Sequence, residues 1–493
     1  MLDLLVKNAK VVRPGREPEL LDVGVKDGVF VRVETSIPAE EAAAVADGSG
    51  RLLFPGAVDV HQHWGIYNPL DADTVTESRA CAQGGVTTGI TYLRTGAYYL
   101  NRSGPYSEVI PVALDAAAGR AFVDYSFHVA PILRSHVDEI PSLISDFGIP
   151  SFKIFMFYGK HGLHGRSSAQ DQFLMLPEGE SYDYAHFEFV MRAIQRAREE
   201  GRFADIADDI SLSLHCETAE IMAAYTRIVE EEGRLTGLEA YHASRPPHSE
   251  GLAVTIASYL AHETGLSKIN LLHLSSRKAV EAALLMAKTF PHIDFRREVT
   301  IGHLLADIDT AAAGIGGKVN PPLRPREDVE ALWSQLHAGN IDWVASDHAC
   351  CRDETKFGSP REDVFLAKSG FGGTEYLLPG LITEGTRRGL SLGRVAELIS
   401  WNPAQRFGLH TKGTVDLGYD ADFCLIDPDT NWVVRAVESE SSQEYTPFEG
   451  FEMTAKVTDT FLSGEAVFTG GKITGKPRGR FLRRPSHREE PAH

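Results

Sequence analysis

Cysteine is scarce in this chain, which contains five in 493 residues. The number is odd, and no pair has the Cys-x-x-Cys spacing of thiolate metal sites and redox motifs. A small secreted domain held by disulfides would need many more cysteines in paired positions. The scarcity disfavours a disulfide framework and predicts a reducing, cytoplasmic environment. The five are Cys81, Cys216, Cys350, Cys351 and Cys424.

Positive charge is also in deficit. Lys and Arg number 49 against 68 Asp and Glu, giving a formal net charge of −19. Proteins that bind nucleic acid need a basic face for the phosphates, so this balance predicts no nucleic-acid partner. No apolar run approaches the length that crosses a bilayer, and the N-terminal segment MLDLLVKNAKVV lacks a signal-peptide pattern. We expect a soluble protein without a membrane partner.

β-rich runs alternate with helix-length amphipathic stretches through most of the chain. This alternation is typical of βα units and a parallel sheet. Helices are predicted, among others, over 184–200, 249–264 and 276–289. Eight β-rich runs predict a (β/α)8 barrel of the TIM type, with its active site at the C-terminal strand ends. The predicted strands are 53–60, 86–93, 121–129, 151–157, 211–216, 269–274, 293–299 and 341–346.

Both ends of the chain show a shorter β pattern. Residues 1–54 contain β-type runs separated by turns, with Lys26-Asp27-Gly28 as a hairpin signal. The pattern returns in 405–475, so both ends are expected to complete one small β-sandwich beside a barrel of residues 55–404. The Pro- and Arg-rich stretch 476–493 is predicted to be a flexible tail or a subunit-docking arm.

The first predicted barrel strand ends in His61-Gln62-His63. Alternate residues of a strand point to the same face, so His61 and His63 project together. Two imidazoles in this arrangement can hold one metal ion such as zinc. For this motif alone, two surface histidines in a loop are the commoner explanation.

Four further strand ends carry metal-capable residues: Lys153, His215, His273 and Asp347. Taken singly, each has a structural explanation, since a buried histidine is usually hydrogen-bonded in the core and a buried lysine pairs with a carboxylate. Their joint occurrence on strands one, four, five, six and eight places all of these side chains at one end of the barrel. The sequence therefore predicts a metal centre at that end.

Several segments carry a family resemblance: PGAVDVHQH, SFKIFMFYG, SLHCE, LLHLSS, NPPLR, SDH, NPAQRFGL and KGTVDLGYDADF. They resemble the cyclic amidohydrolases of the dihydropyrimidinase, hydantoinase and allantoinase group, and the resemblance extends from about Leu4 to Gly470. It implies a metal-bearing barrel with a β-sandwich built from both chain ends. It also implies an enzyme that opens a hydantoin or dihydropyrimidine to an N-carbamoyl amino acid by attack of a metal-activated hydroxide.

The resemblance further implies two divalent metal ions, usually zinc, in a homotetrameric enzyme. One ion would be bound by the His-x-His motif and the aspartate, the other by the two later histidines. The lysine would be carboxylated and bridge both ions, because a carbamate is an anionic oxygen ligand and an ammonium group is not. The ligand positions are His61, His63, Lys153, His215, His273 and Asp347.

Further roles follow from the same resemblance. Asp347 would act as general base and then as general acid. Tyr158 would donate a hydrogen bond to the tetrahedral oxyanion, and the backbone of Asn320 would contact the substrate ring. Glu217 and His348 would orient neighbouring ligands. A core aromatic residue is the structural alternative for Tyr158, and a purely structural role is the alternative for Glu217 and His348.

Two departures from related families bear on the substrate. Dihydroorotases hold a substrate carboxylate with an Arg soon after the His-x-His motif and an Asn after strand two. This chain has Trp64-Gly65 and Arg94 there, which disfavours dihydroorotate. Many relatives have Met-Pro where Arg94 stands. Arg94 is interpreted as a partner in a nearby salt bridge or as a contact for a polar substrate substituent.

Aromatic and apolar residues near the predicted site favour a bulky 5-substituted hydantoin over allantoin. They are Trp64, Phe371 and, within the long connection 159–183, the residues His161, His164, Phe173 and Met175. A connection of this length at the active-site end of a barrel predicts a lid or binding loop. The alternative enzyme is an allantoinase or another cyclic imide hydrolase. A non-catalytic scaffold is disfavoured, since such relatives have lost metal ligands that are intact here.

Overall fold

The computed structural model describes residues 1–159 and 174–485. The chain begins with five strands: β1 (Leu2–Val11), β2 (Glu19–Lys26), β3 (Val29–Glu34), β4 (Ala42–Asp47) and β5 (Leu52–Pro55). β2 and β3 form a hairpin, and its two turn residues, Asp27 and Gly28, have φ angles of 51° and 75°. Positive φ at both positions is the geometry of a type I′ turn. The predicted hairpin is confirmed.

Eight parallel strands form the barrel: β6 (Ala57–Gln62), β7 (Val86–Leu93), β8 (Asp124–Val129), β9 (Ser151–Phe155), β10 (Ser211–His215), β11 (Lys268–Leu271), β12 (Asp294–Thr300) and β13 (Trp343–Ala345). Each pairs with the next along the chain, and a bridge between Gln62 and His348 brings the last strand back beside the first. Every residue of β6 to β10 is buried, as expected when helices cover a parallel sheet. The predicted barrel is confirmed.

The predicted strand 53–60 is in fact two strands in two sheets. β5 belongs to the outer sheet and β6 to the barrel, and Gly56 lies between them. The backbone N–H of Gly56 donates to the carbonyl of Asp422 (2.9 Å), and a Cβ at this position would lie 2.1 Å from Oγ1 of Thr87. This close approach requires glycine where the chain passes from one sheet to the other.

Helices surround the barrel, and their ends follow ordinary capping chemistry. The side chain of Asp183 accepts hydrogen bonds from the N–H groups of Ala185 and His186, and Ser276 accepts one from Ala279. The predicted helices over 184–200, 249–264 and 276–289 are confirmed. The helices are α1 (Leu70–Gln83), α2 (Tyr106–Ala117), α3 (Arg134–Phe147), α4 (Tyr184–Glu199), α5 (Ala219–Glu232), α6 (Gly237–Ser244), α7 (Pro247–Thr264), α8 (Arg277–Thr289), α9 (Ile301–Leu305), α10 (Arg326–His337), α11 (Asp353–Lys356), α12 (Thr374–Arg387), α13 (Leu392–Ala396) and α14 (Asn402–Arg406).

The C-terminal part of the chain completes the outer sheet. Its strands are β14 (Phe423–Asp427), β15 (Trp432–Val433), β16 (Glu452–Met453), β17 (Lys456–Leu462), β18 (Glu465–Thr469) and β19 (Lys472–Ile473). β14 pairs antiparallel with β5, so the sheet runs β19-β18-β17-β14-β5-β1-β2-β3, with β4 on β1. β15 and β16 form a separate small ribbon. The expectation that both chain ends build one β-rich domain is confirmed, and the boundaries 1–54, 55–404 and 405–475 stay predictions.

The last described residues are docked on the barrel of their own chain, where a flexible tail was one expectation for 476–493. The N–H of Leu482 donates to the carbonyl of Tyr125 (2.7 Å). Arg484 is 2% exposed, and its guanidinium donates to Oγ of Ser126 (2.9 Å) and to the carbonyl of Phe407 (3.2 Å). Backbone pairing and a satisfied buried guanidinium hold this segment in place. Residues 486–493 lie outside the described part.

Part of the predicted lid cannot be placed. Of the connection 159–183, residues 160–173 lie outside the described part of the chain, and they include His161, His164 and Phe173. Met175 is described and half-buried, with a φ of 53°. Across residues 1–159 and 174–485, no helix combines the length and the apolar character that spanning a membrane requires.

Candidate metal centre

The predicted metal ligands converge at the C-terminal ends of the barrel strands. His61 lies on β6 and His63 just beyond it. The others lie within β9 (Lys153), at the last residue of β10 (His215), and two residues after β11 (His273) and β13 (Asp347). Parallel strands bring their carboxyl ends to the same edge, so residues far apart in sequence meet there. All are buried: His61, His63, Lys153, His215, His273 and Asp347.

Asp347 joins the two histidines of the His-x-His motif. Its Oδ1 lies 3.0 Å from Nε2 of His61 and 3.1 Å from Nε2 of His63. Burial acts to raise the pKa of Asp347, but the charge of His61 and hydrogen bonds from both rings hold that pKa well below its ordinary value. Burial lowers the pKa of His63 to about 3, which keeps its ring neutral. Neutral imidazoles and an ionised carboxylate are the forms that bind metal.

Lys153 lies beside this group as a buried amine. Its Nζ is 3.1 Å from Nε2 of His61, and it stands over the rings of Tyr92 (3.8 Å to the centroid) and Phe155 (4.4 Å). Among the described residues Lys153 forms no ion pair. Burial lowers the pKa of Lys153 to about 7, although the charges of Asp347 and Glu298 oppose this. A large share of the amine is therefore unprotonated at neutral pH.

His215 and His273 form the other half of the group, with ring centroids 4.3 Å apart. Burial is the largest cause of a pKa well below the ordinary value for both rings. Nδ1 of His273 is buried and has no hydrogen-bond partner in the described part of the chain. A buried ring nitrogen without a partner carries a desolvation cost that a metal ion would offset.

The donor set fits divalent metal ions. The donor atoms of His61, His63 and Asp347 all lie within 4.8 Å of one another, close enough to share one cation. His273 presents an unpartnered nitrogen. Imidazole and carboxylate ligands suit zinc and its neighbours in the first transition row. The arrangement therefore has the chemistry of a metal centre.

Glu298, on β12, supports the centre and was missed by the sequence analysis. Its Oε1 lies 2.7 Å from Nδ1 of His61 and accepts a hydrogen bond from the backbone N–H of His273 (3.0 Å). Its Oε2 accepts one from Nε1 of Trp343 (2.8 Å). This carboxylate orients residues from three strands. The only signal in the sequence is an acidic residue inside a predicted strand.

Other contacts hold the remaining rings. Nδ1 of His63 lies 2.6 Å from the hydroxyl of Tyr99, another residue that the sequence analysis missed. Glu217 fulfils the orienting contact expected of it: its Oε2 lies 2.7 Å from Nε2 of His215 and 2.8 Å from Nη1 of Arg245. Such outer contacts fix the orientation of metal-binding imidazoles.

His348, expected to orient a ligand, has a different main role. Its Nε2 lies 2.8 Å from a carboxylate oxygen of Glu77, and its Nδ1 accepts from the N–H groups of Gly373 (3.0 Å) and Thr374 (3.2 Å). The ring therefore anchors the start of α12. Contact with the metal ligands is made through its carbonyl, which accepts from the N–H of His63 (2.8 Å).

Two of the predicted ligands have left-handed backbone conformations. The φ angle is 34° at His273 and 55° at Asp347. Residues other than glycine adopt this region at a cost of order 1–3 kcal/mol, and such residues cluster at functional sites. The left-handed turn also explains why the predicted strand 269–274 ends early, at Leu271.

Five of the six predicted ligands, all except His61, line one small cleft. Tyr158 and Asn320 also line it. The ring of Tyr158 stacks on Phe155 with centroids 4.5 Å apart. The hydroxyl of Tyr241 donates to Oδ1 of Asn320, which fixes that side chain. Apolar side chains complete the wall: Ile66, Phe155, Phe157, Val319 and Ala349.

Trp64 and Phe371, predicted to contact the substrate, are core residues and are not among the described residues that line the cleft. Trp64 is 1% exposed and packs against Tyr125 (centroids 6.2 Å apart). It directly follows His63 in the turn beyond the end of β6, and its side chain lies in the core whereas that of His63 faces Asp347. Phe371 likewise follows a residue of the cleft wall, Gly370, and packs against Phe448 (6.1 Å).

A second buried group, Asp73, Glu77 and Cys350, is also close enough to hold a cation. Its oxygens already accept hydrogen bonds: Asp73 from the N–H of Gly65 (2.7 Å), and Glu77 from Oγ of Ser442 (3.1 Å). These contacts give the group a structural role. They join α1 to the segments before and after it.

Comparison with known proteins places this geometry in a family. The model of the amidohydrolase family matches residues 180–467. The chain is 34% identical over 484 residues to an allantoinase of Rubrobacter xylanophilus, covering 98% of this chain and 97% of the relative. It is 30% identical over 495 residues to a D-phenylhydantoinase of Escherichia coli, covering 98% of each chain.

A solved structure agrees over the same length. The L-hydantoinase (dihydropyrimidinase) of Arthrobacter aurescens superposes with a TM-score of 0.81 at 27% identity, covering 97% of this chain and 98% of that one. Barrel, outer sheet and metal-capable cleft are thus found together with full-length similarity to hydrolases of cyclic amides. The chain belongs to the amidohydrolase family, as a cyclic-amide hydrolase of the hydantoinase and allantoinase type.

Proposed function

We propose that the protein is a binuclear metal-dependent hydrolase that opens a hydantoin or dihydropyrimidine ring to an N-carbamoyl amino acid. The observation that carries this proposal is the convergence of metal-capable side chains on the floor of one cleft, among them Lys153 and the unpartnered Nδ1 of His273. Full-length relatives named allantoinase and D-phenylhydantoinase support a cyclic amide as substrate.

Two divalent ions, zinc in the first instance, would be held in the two halves of the group. When bound, such ions lower the pKa of water and so supply a nucleophile at neutral pH. Lys153 would join the halves as N6-carboxylysine, because only the carbamate is an anionic ligand. Carboxylation requires the neutral amine, which the lowered pKa of Lys153 favours. The proposed ligands are His61, His63, Lys153, His215, His273 and Asp347.

Three residues would act on the substrate. Asp347 takes the proton of the attacking water and delivers it to the leaving ring nitrogen. Tyr158 donates a hydrogen bond to the carbonyl oxygen as negative charge develops there. Asn320, whose side chain is engaged by Tyr241, contacts the ring through its backbone.

The ring substituent distinguishes two candidate substrates. The apolar wall residues Ile66, Phe157 and Val319 favour an apolar 5-substituent, as in phenylhydantoin, over the polar ureido group of allantoin. Allantoinase is the second candidate, because the Rubrobacter xylanophilus relative carries that name. Turnover of phenylhydantoin ahead of allantoin is expected, and the reverse order selects the second candidate.

The decisive assay compares ring opening of hydantoin, phenylhydantoin, dihydrouracil and allantoin by the zinc-loaded protein and by its Asp347→Asn variant. We expect the wild type to open at least one ring and the variant, which keeps the shape of the side chain without its basicity, to open none at a comparable rate. Wild-type protein that opens no ring would contradict the proposal and favour the non-catalytic scaffold.

We also propose a cytoplasmic homotetramer, with the β-rich domain formed by 1–54 and 405–475 and the barrel by 55–404. This rests on the family resemblance. Light scattering of the zinc-loaded protein is expected to give the mass of four chains. A monomeric mass would contradict the tetramer without affecting the proposed chemistry.

A further inference from the structure

Arg94 is a buried arginine at the edge of the proposed site. It follows the last residue of β7 and is 2% exposed. Its Nη1 donates to the carbonyls of Thr95 (3.0 Å) and Ala97 (2.9 Å). These bonds hold the turn after β7 and fix the position of the guanidinium.

The guanidinium lies near two tyrosine rings. Its Cζ is 5.4 Å from the ring centroid of Tyr99 and 5.5 Å from that of Tyr158. Tyr99 contacts Nδ1 of His63 through its hydroxyl, and Tyr158 lines the cleft. A cation this close to a ring in a dry environment is held by electrostatic attraction. Arg94 thus reaches the proposed metal ligand His63 through Tyr99, and it lies directly against Tyr158, the proposed oxyanion donor.

The guanidinium of Arg94 determines where the O–H bond of Tyr158 points. A guanidinium has donors and no acceptor, so in any hydrogen bond with Tyr158 the phenol oxygen accepts. The O–H of Tyr158 must then point elsewhere, and its own position on the cleft wall offers the substrate side. Burial raises the pKa of Tyr158, and the charge and hydrogen bonding of Arg94 act against that rise. A phenol polarised in this way is a stronger donor.

We propose that Arg94 is a positioning residue for the ring-opening reaction: it directs the Tyr158 hydroxyl into the cleft and stabilises the negative charge that Tyr158 receives. The inference rests on the proposed function. Because the negative charge develops only in the transition state, removal of Arg94 lowers kcat and leaves KM nearly unchanged. An arginine that bound a substrate substituent would change KM.

A double-mutant cycle on the zinc-loaded, full-length protein tests this, with Arg94→Met and Tyr158→Phe as the two changes. The substrate is whichever of hydantoin, phenylhydantoin, dihydrouracil or allantoin the wild type opens. We expect Arg94→Met to lower kcat by about 10- to 100-fold, the range of a hydrogen bond to a charged group. In the Tyr158→Phe background the same change is expected to have little further effect. Arg94→Lys, which keeps the charge, is expected to recover part of the loss.

Two controls separate this role from support of the turn. Arg94→Gln keeps donors for the carbonyls of Thr95 and Ala97 without the charge, and it should lower kcat nearly as much as Arg94→Met. Lys368→Met removes a tether of the same turn, the bond from Nζ to the Tyr98 hydroxyl (3.3 Å). Its effect on kcat should be the same with and without the Tyr158 hydroxyl.

The outcomes are distinguishable. Wild-type turnover with an Arg94→Met loss that is equal in both Tyr158 backgrounds, or with a change in KM alone, overturns the role of Arg94 and leaves the proposed function standing. Failure of the zinc-loaded wild type to open any ring overturns the proposed function and the role of Arg94 with it.

Discussion

Lys153 and Lys412 are buried lysines at opposite ends of the same barrel, and their surroundings differ. Lys412 lies 3.0 Å from Asp124 and 3.3 Å from Asp420, and it also contacts Asp422. Burial opposes its charge, but the three carboxylates outweigh burial and raise the pKa of Lys412. Lys153 has no ion-pair partner among the described residues, and burial lowers its pKa to about 7.

The same contrast extends to neighbouring groups. At the barrel end that contains Lys412, Arg406 pairs with Asp294 (2.7 Å) and donates to the side chain of Asn270 (2.7 Å). At the barrel end that contains Lys153, Nδ1 of His273 has no hydrogen-bond partner among the described residues. The lysine at the N-terminal end is paired with carboxylates and stabilises the fold, whereas Lys153 at the C-terminal end has no ion-pair partner among the described residues. This division is the general rule for barrel enzymes.

Replacing Lys153 should have the largest effect on activity without lowering stability. We expect Lys153→Met to reduce ring opening by about 10³-fold or more, because bound metal supplies several kcal/mol of transition-state stabilisation. Removal of a buried amine that has no ion-pair partner leaves no orphaned charge, so the metal-free variant should be at least as stable as the metal-free wild type at neutral pH. Turnover and calorimetry check both parts. Activity near the wild-type level would contradict the comparison.

Removing the hydroxyl of Tyr158 should have the next largest effect on activity. Tyr158→Phe is expected to lower kcat by about 10²–10³-fold, as for loss of one oxyanion donor. Tyr106→Phe is the matched control, because Tyr106 is equally buried but donates to the backbone carbonyl of Ala130. Steady-state kinetics of both variants should show a large loss only in the first. Equal losses of kcat in the two variants would show that the effect of Tyr158→Phe comes from packing and not from a lost hydrogen bond to the substrate.

Replacing Lys412 should reverse the pattern seen with Lys153. Lys412→Met leaves two buried carboxylates, Asp124 and Asp422, and the partly exposed Asp420 without their cation, so the free energy of unfolding should fall by about 3–5 kcal/mol. The kcat of the folded fraction should stay unchanged. Lys268→Met is the control: Lys268 is partly exposed and pairs with Asp208 and Asp294, so a loss of about 1 kcal/mol or less is expected. Denaturant titration measures both.

The pH dependence of stability separates the two lysines by its sign. In the metal-free protein the pKa of Lys153 is about 7, against an ordinary value of 10.5. Between these values the unfolded chain binds more protons, so this lysine makes wild-type stability rise with pH in that window. The raised pKa of Lys412 has the opposite sign: its contribution is complete below about 10.5 and is lost as pH rises further.

Denaturant titration of metal-free wild type and Lys153→Met across this range isolates the first contribution. We expect the stability difference between the two proteins to shift in favour of the wild type as pH rises from 7 towards 10.5. A difference that does not change with pH would show that Lys153 is charged and paired in the folded protein.

Much of the fold follows from the sequence because its signals are local. Eight β-rich runs, the Asp27-Gly28 turn and the amphipathic helices are each readable within a short window. The candidate metal ligands were identifiable for a similar reason, since each closes or sits within an apolar run. The sequence analysis missed the passage from β5 to β6 at Gly56, although Pro55-Gly56 within the run 53–60 is itself a local break signal.

The supporting residues of the site depend on contacts between distant segments. Glu298 is 237 positions from His61, and Tyr99 is 36 from His63, so no spacing rule connects them. Trp64 shows the opposite error. Its nearness to His63 in sequence indicated a place in the cleft, whereas the turn after β6 places its side chain in the core.

Metal content of the purified protein, measured for wild type and Lys153→Ala after loading with zinc, tests whether the cleft holds two ions. We expect about two ions per chain in the wild type, as in binuclear hydrolases, and a clear loss in the variant, because the bridging ligand is gone. A wild type that binds no zinc, or a variant that keeps the full complement, would contradict it.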